Sequence, residues 1–155
     1  MKIIQRSAGG MNPSFGFWAT QLAREMSEEF SKKLARQKMK MMDWAVLATL
    51  YRNEASRPAE IARQTCIEPS VITRVLNRLE KQKLLTRKHQ GDDRRAVEIA
   101  LTAKGRKTTK LLFELSMETN ETFLAPLPES ERGKVIETLG RIVTVWRAAK
   151  KAKAS

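Results

Sequence analysis

Apolar residues recur every three or four positions along most of the chain, which is the period of amphipathic α-helices. Proline and threonine mark several helix starts, because proline fits the first helical turn and a threonine hydroxyl caps free backbone N–H groups. We therefore predict six helices, which cover residues 15–34, 41–52, 58–64, 69–82, 103–125 and 128–149.

The period changes to two between the fourth and fifth predicted helices. Leu84–His89 and Ala96–Leu101 are short β-type runs, and apolar and polar positions alternate in the second run. The segment Gln90–Asp93 between them contains a glycine and two aspartates, which favour turns. This part of the chain is therefore predicted to form a β-hairpin.

Three short helices followed by a hairpin are typical of a winged helix-turn-helix, a DNA-binding module. The expected fold class is mainly α, with a two-stranded wing. The last helix repeats Val135, Leu139, Ile142 and Trp146, the spacing of helices that pack lengthwise, so we expect the flanking helices to dimerise. The predicted parts are a flexible arm (1–13), an N-terminal dimerisation helix (14–37), the winged helix-turn-helix domain (38–104), C-terminal dimerisation helices (105–149) and a basic tail (150–155).

The charge of the chain makes nucleic acid the expected partner. The 155 residues include 30 Lys and Arg against 17 Asp and Glu, a formal net charge of +13. Residues 74–95 hold eight basic and three acidic side chains, a net charge of +5. An excess of this size favours binding to a polyanion.

Composition also disfavours several other classes of protein. No apolar run has the length of a membrane span, and the first residues lack the pattern of a signal peptide, so we expect a cytoplasmic protein with no membrane partner. One Cys and one His supply neither the usual metal ligands nor a convincing pair of nucleophile and base. We expect no metal, no cofactor and no enzymatic activity.

The fourth predicted helix carries the candidate DNA-reading face. On a helical wheel Ile72, Leu76 and Leu79 form one buried stripe. The opposite face carries hydroxyl, amide and cationic groups, which can contact base edges and phosphates. The residues of that face are Ser70, Thr73, Arg74, Asn77, Arg78 and Lys81.

The hairpin tip offers a second candidate contact. Arg94 and Arg95 on a narrow projecting loop suit the minor groove, where narrowing concentrates negative potential. Asp93 lies two residues before Arg95 and can brace its side chain before DNA binds.

The stretch Glu68–Gly105 resembles the multiple-antibiotic-resistance regulator (MarR) family, and the resemblance extends over roughly residues 14–148. Its matching motifs are Arg78-Leu79-Glu80, Asp93-Arg94-Arg95 and Leu101-Thr102-x-x-Gly105. The resemblance implies that Ser70, Thr73 and Arg74 face the major groove. It also implies that Arg95, braced by Asp93, enters the minor groove.

The resemblance further implies an obligate homodimer with a small-molecule cleft between its helices and the dimer interface. We expect a repressor that binds double-stranded DNA at a pseudo-palindromic operator and is released by a small aromatic acid. Such a ligand suits a cationic protein whose inner helix faces carry Trp18, Met26, Phe113 and Met117.

Three positions depart from the family pattern or add an alternative. Lys83 stands where the family favours glycine after the recognition helix, so this helix end is expected to be built differently. Glu68 is a poor N-cap. Cys66 is expected to be a small buried turn residue, and a thiol-based redox regulator using Cys66 is one alternative function. A sequence-indifferent architectural DNA-binding protein is the other.

Overall fold

The computed structural model describes residues 14–90 and 93–152, without the side chains of residues 89, 90, 93–96 and 151. All six predicted helices and the hairpin are present, and the fold is mainly α. The helices are α1 Phe15–Arg36, α2 Met41–Tyr51, α3 Pro58–Thr65, α4 Pro69–Lys81, α5 Ala103–Leu124 and α6 Glu129–Ala152, with strands β1 Leu85–Gln90 and β2 Asp93–Leu101 between α4 and α5. The predicted flexible arm and residues 153–155 of the predicted tail lie outside the described residues.

Each of the first four helices is followed, within two positions, by a residue with left-handed backbone geometry. The value of φ is 56° at Lys38, 56° at Asn53, 55° at Cys66 and 60° at Lys83. This geometry turns the chain sharply and lets the following amides reach back to free carbonyls of the last helical turn. The short helices can therefore change direction within a few residues.

The end of α4 corrects one expectation. Lys83 adopts the left-handed conformation that a glycine would adopt most easily at this position, so the helix end is not built differently. Lys83 N donates to Glu80 O at 2.8 Å, and Leu84 N donates to Leu79 O at 3.0 Å. These two bonds satisfy carbonyls of the last turn and offset the backbone strain of a lysine there.

The hydrophobic core lies where α2, α3 and α4 pack on one another and on the root of the hairpin. The predicted stripe of α4 is buried, and Val75, which was not part of that prediction, is buried with it. Helix α1 joins this core through Phe30 and Leu34, and α5 joins it through Leu112. The apolar side of α4 is thus fixed toward the protein, which leaves its polar side for solvent.

The strands β1 and β2 pair antiparallel, with Leu85 opposite Leu101 and a bulge between His89 and Gln90. Strand β2 begins at Asp93, whereas the sequence pattern predicted a strand from Ala96. Residues 93–95 are all charged, so the sequence shows no alternation of apolar and polar positions there. Backbone pairing extends the strand across them.

The hairpin root is attached to the loop between α2 and α3. Ser56 O accepts a hydrogen bond from Ile99 N at 2.8 Å. The Ser56 hydroxyl donates to Glu98 Oε1 at 3.1 Å. These bonds fix the base of the wing to the helix-turn-helix, so the wing leaves the domain in a defined direction.

The Leu101-Thr102-x-x-Gly105 motif forms the junction between β2 and α5. The Thr102 hydroxyl caps α5 by accepting from Gly105 N at 2.9 Å, and it donates to Lys83 O at 2.8 Å. A β-carbon at Gly105 would lie 1.9 Å from Leu84 O, so only glycine allows α5 to approach α4's end this closely. The motif therefore joins three elements at one point.

The chain divides into two compact units, one up to Thr119 and one from Asn120 onward. In the second unit Arg132 ties α6 to the preceding loop, since its Nε donates to Leu127 O at 3.1 Å. Several large apolar side chains of α6 are exposed in the single chain, namely Ile136, Leu139, Ile142, Val143, Val145 and Trp146. No helix in the described part of the chain has an apolar stretch that could cross a membrane.

Candidate nucleic-acid interface

The exposed face of α4 carries most of the predicted DNA-reading residues. Ser70, Thr73, Arg74, Asn77 and Lys81 are all exposed. The Thr73 hydroxyl donates to Pro69 O at 3.1 Å, which leaves its oxygen lone pairs available to a donor. The face therefore combines two hydroxyls, one amide and two cations on a single surface.

The turn before α4 sets where this face begins. Helix α3 ends at Thr65 with Cys66 as its C-cap, and Ile67 N donates back to Ala62 O at 3.2 Å. Helix α4 starts at Pro69 with no side-chain hydrogen bond from its N-cap, Glu68, as expected for a poor capping residue. The proline supplies the helical φ without a free N–H, which compensates for the weak cap.

Cys66 differs from the expectation. Its side chain is exposed, because the left-handed backbone at the end of α3 turns Cys66 away from the core. The thiol donates to Arg63 O at 3.9 Å. The prediction of a small buried turn residue is therefore wrong.

Arg78 lies at the border of the α4 face and makes an intramolecular ion pair. Its Nε donates to Asp43 Oδ1 at 3.1 Å, and its Nη2 donates to the same oxygen. Asp43 is 1% exposed. Of the side chains described within residues 14–90 and 93–152, it is the only charged one that is buried. The other carboxylate oxygen of Asp43 accepts from Lys40 N at 2.8 Å, at the start of α2. Arg78 thus attaches α4 to α2.

Arg87 on β1 makes a second connection to α4. Its two terminal nitrogens donate to Glu80 Oε2 and to Asn77 Oδ1, both at 2.6 Å. The sequence pattern predicts no role for Arg87 or for Asp43. Their partners are seven to 35 positions away along the chain, and no periodic pattern links such positions.

The predicted wing residues are described only by their backbone. Asp93, Arg94 and Arg95 are the first residues of β2. Their side chains lie outside the described part, so the predicted minor-groove contact and the bracing by Asp93 stay predictions.

Glu60 stabilises the start of helix α3. Its Oε2 accepts from Arg57 N at 3.2 Å and from Ser56 N at 3.4 Å, and these bonds lower the pKa of Glu60 below its ordinary value of 4.5. Because the folded-state pKa is lowered, the contribution to stability is complete above that ordinary value. It is lost as the pH falls through the lowered pKa.

An aromatic cluster lies between helices α1, α2 and α5. The Trp44 and Phe113 ring centroids are 4.6 Å apart, Tyr51 lies 5.4 Å from Phe113, and Phe30 lies 5.5 Å from Trp44. The Arg52 guanidinium lies 5.1 Å from the Phe113 centroid. Of the predicted ligand-facing residues, Phe113 belongs to this cluster, Met26 is half-buried, and Trp18 and Met117 are exposed. Tyr51 and Arg52 were not predicted.

Known proteins share both sequence and fold with this chain. A sequence model of the MarR family matches residues 39–97. The HTH-type transcriptional regulator PecS of Dickeya dadantii (strain 3937) is 32% identical over 114 residues, which are 72% of this chain and 69% of PecS. The chain belongs to the MarR family.

Solved structures agree with the fold of this MarR-family chain. The S. aureus MepR–DNA complex has a TM-score of 0.70 at 21% identity, covering 85% of this chain and 98% of MepR. NadR in complex with 4-hydroxyphenylacetate has a TM-score of 0.68 at 22% identity, covering 89% and 97%. At these identities the likeness concerns the winged helix fold. The chain is a DNA-binding transcriptional regulator and not an enzyme, as predicted.

The ion pair between Arg78 and Asp43 predicts a stability effect. Asp43→Ala should lower the free energy of unfolding by about 2–4 kcal/mol, because it leaves the Arg78 guanidinium without its partner and a void beside α2. Urea denaturation measures this change. In the control Glu28→Ala, which removes an exposed ion pair with Lys32 at 3.3 Å, the change should stay within about 0.5 kcal/mol. Equal losses in both variants would contradict the structural role of Asp43.

Proposed function

We propose that this MarR-family chain is a homodimeric repressor that binds a pseudo-palindromic operator. The observation that carries the proposal is the exposed polar face of α4, which is held against the domain by a continuous buried stripe on its other side. A helix of this kind can enter the major groove of DNA, and two copies in a dimer would lie about 34–36 Å apart, one turn of the duplex. Occupation of the operator would exclude the transcription machinery from the same DNA.

Within this function, some side chains of the interface are suited to contacts with bases and others to contacts with phosphates. Arg74, at the centre of the exposed face, is suited to a bidentate contact with guanine, and Ser70, Thr73 and Asn77 to other base edges. Lys81 at the end of α4 is suited to a phosphate. Arg94 and Arg95 would enter the minor groove, with Arg95 braced by Asp93.

Arg78 contributes to this interface from its border. Its side chain is 36% exposed, so part of the guanidinium can approach a phosphate while the Asp43 pair is kept. Asp43 already engages Nε and Nη2, which holds the guanidinium at the border of the face and leaves it less free than Arg74 to align with a base edge. We therefore assign Arg78 a phosphate contact.

Dimerisation is supported by apolar surface that the single chain leaves exposed. Trp146 is 70% exposed, and the same seam of α6 contains Leu139 and Ile142. Phe15 and Trp18 of α1 are exposed as well. Monomeric proteins rarely expose apolar surface in such continuous stretches.

Light scattering at micromolar concentration tests this assembly. The expected mass is twice the chain mass of 17.7 kDa. Ile142→Glu should lower it to the mass of one chain, because a carboxylate would be buried in an apolar seam. In the control Glu137→Gln, the mass should stay that of a dimer. A folded wild-type chain that has the mass of a monomer at all concentrations would refute the dimer.

Release by a small aromatic acid is supported by the aromatic cluster. Trp44, Tyr51 and Phe113 offer ring faces and edges, and Arg52 supplies a cation beside them. NadR, a structure of the same fold, binds 4-hydroxyphenylacetate, which combines an aromatic ring with a carboxylate. A dimer can bind the operator only when its two α4 helices are one DNA turn apart. A ligand that binds better to a conformation with a different spacing would reduce the population of the DNA-binding conformation.

The ligand proposal predicts a preference for acids. Aromatic carboxylates should weaken operator binding by the wild-type chain more than their neutral amides do, because Arg52 can pair with a carboxylate. Arg52→Ala should reduce that preference by about tenfold, whereas the exposed control Arg24→Ala should keep it. Operator titrations with both ligand series measure the effect. Equal potency of acids and amides on the wild-type chain would refute the role of Arg52.

Operator titration with Arg74→Ala tests the proposed function itself. The variant should lose about 1–3 kcal/mol of operator binding and relax the preference at one base pair in each half-site. Arg94→Ala should instead weaken binding with little change of base preference and reduce its salt dependence. A sequence-indifferent architectural protein would bind all duplexes alike, whereas a specific regulator prefers its operator by about 10³ or more. Wild-type binding without preference would overturn the proposal.

A further inference from the structure

Arg87 links the wing to the DNA-reading helix through two short hydrogen bonds. It lies on β1, and its side chain is 28% exposed. Its Nη1 donates to Glu80 Oε2 and its Nη2 to Asn77 Oδ1, each at 2.6 Å. Glu80 therefore holds the guanidinium by a charged contact, and the held guanidinium in turn contacts a residue on the exposed face of α4.

The contact determines which way the Asn77 amide points. A guanidinium has only donors, so the atom of Asn77 that faces Arg87 must be the carbonyl oxygen. The rotation of the amide group is therefore set by chemistry. The NH₂ group of Asn77 makes no hydrogen bond to any side chain or backbone group within the described ranges, and Asn77 is exposed.

A free asparagine can read adenine with both of its amide atoms. Its oxygen accepts from the adenine N6 amino group while its nitrogen donates to N7. The contact with Arg87 engages one lone pair of the Asn77 oxygen and sets the rotation of the amide, so pairing both amide atoms with adenine would require the oxygen to be shared or the amide to turn away from Arg87. Its NH₂ group stays free to donate, and in the major groove guanine offers two acceptors, O6 and N7, whereas adenine offers N7 alone.

We propose that Arg87 is a specificity-determining residue: it engages the oxygen of Asn77, so that Asn77 acts toward DNA as a hydrogen-bond donor and its bidentate contact with adenine is disfavoured. This rests on the proposed function, in which the face of α4 reads the major groove. Glu80 supports this restriction, because its carboxylate neutralises the Arg87 guanidinium and keeps it from moving to a DNA phosphate. The base preference at one operator position is thus set by a residue that need not touch DNA.

The test compares base preferences of four variants on operators in which each position of the half-site is varied. Arg87→Met removes the donor to Asn77, and Lys88→Met is the matched control, with the same loss of charge at the neighbouring exposed position. Asn77→Ala and the double variant Arg87→Met/Asn77→Ala complete a double-mutant cycle. Thermal unfolding confirms that each variant is folded.

Arg87→Met should raise the ratio of adenine to guanine binding at one position of each half-site by about fivefold or more. Lys88→Met should weaken binding to all operators by a similar factor and leave the ratio unchanged. The double variant should lose the gain for adenine, because the gain requires the Asn77 amide. A gain that persists without Asn77 would overturn the proposal.

Asn77→Asp tests the same idea with Arg87 intact, which covers the case in which Arg87→Met does not fold. An aspartate still accepts from Arg87 but offers no donor to a base. It should therefore lose the wild-type preference at that position. If Asn77→Asp keeps the preference, or if Arg87→Met keeps the full wild-type profile, the restriction by Arg87 is refuted while the proposed function stands. A wild-type chain with no base preference at any position would refute both.

Discussion

The carboxylate of Asp43 is the constraint on which the position of α4, the proposed DNA-reading helix, depends. It lies in the first turn of α2, is almost fully buried, and accepts from both Lys40 N and the Arg78 guanidinium. Apolar packing alone is non-directional and would tolerate small shifts of α4 along α2. A buried charge tolerates few, because any shift that breaks its hydrogen bonds leaves it unsolvated and unpaired. The ion pair therefore defines the position of α4, and the apolar stripe supplies most of the stabilising area.

The basic residues around α4 serve two different purposes. Arg78 and Arg87 bind carboxylates of the protein itself, Asp43 and Glu80. Arg74 and Lys81 are exposed and have no ion pair among the described side chains. The internal pairs orient the helix and its amide side chain, and the exposed cations remain available for DNA. The high net charge thus includes cations that act as structural attachments, and charge counting along the sequence does not separate the two kinds.

Helix α2 contributes both to the core that holds α4 and to the aromatic cluster. Asp43 contacts α4, whereas the next residue, Trp44, packs on Phe30 and Phe113. Tyr51 and Arg52 extend the cluster at the other end of the helix. In the proposed mechanism α2 can adopt two positions, and the ligand has a higher affinity for one of them. Such a ligand would also shift the position of α4. The physical link is short, since adjacent residues of one helix carry both contacts.

The sequence by itself determined the helices, the hairpin and the apolar side of α4, because hydrophobic period, prolines and capping residues act within a few positions of one another. It also placed Ser70, Thr73 and Arg74 on one face, which follows from helical geometry alone. Only the tertiary structure decided that Arg78 pairs with Asp43, that Arg87 holds Asn77, and that Cys66 is exposed. The contacts of Arg78 and Arg87 depend on how separate elements approach one another, and the exposure of Cys66 depends on the backbone turn at the end of α3. Neither the direction of a side chain at a turn nor the partner of a cation across two elements is encoded in a local repeat.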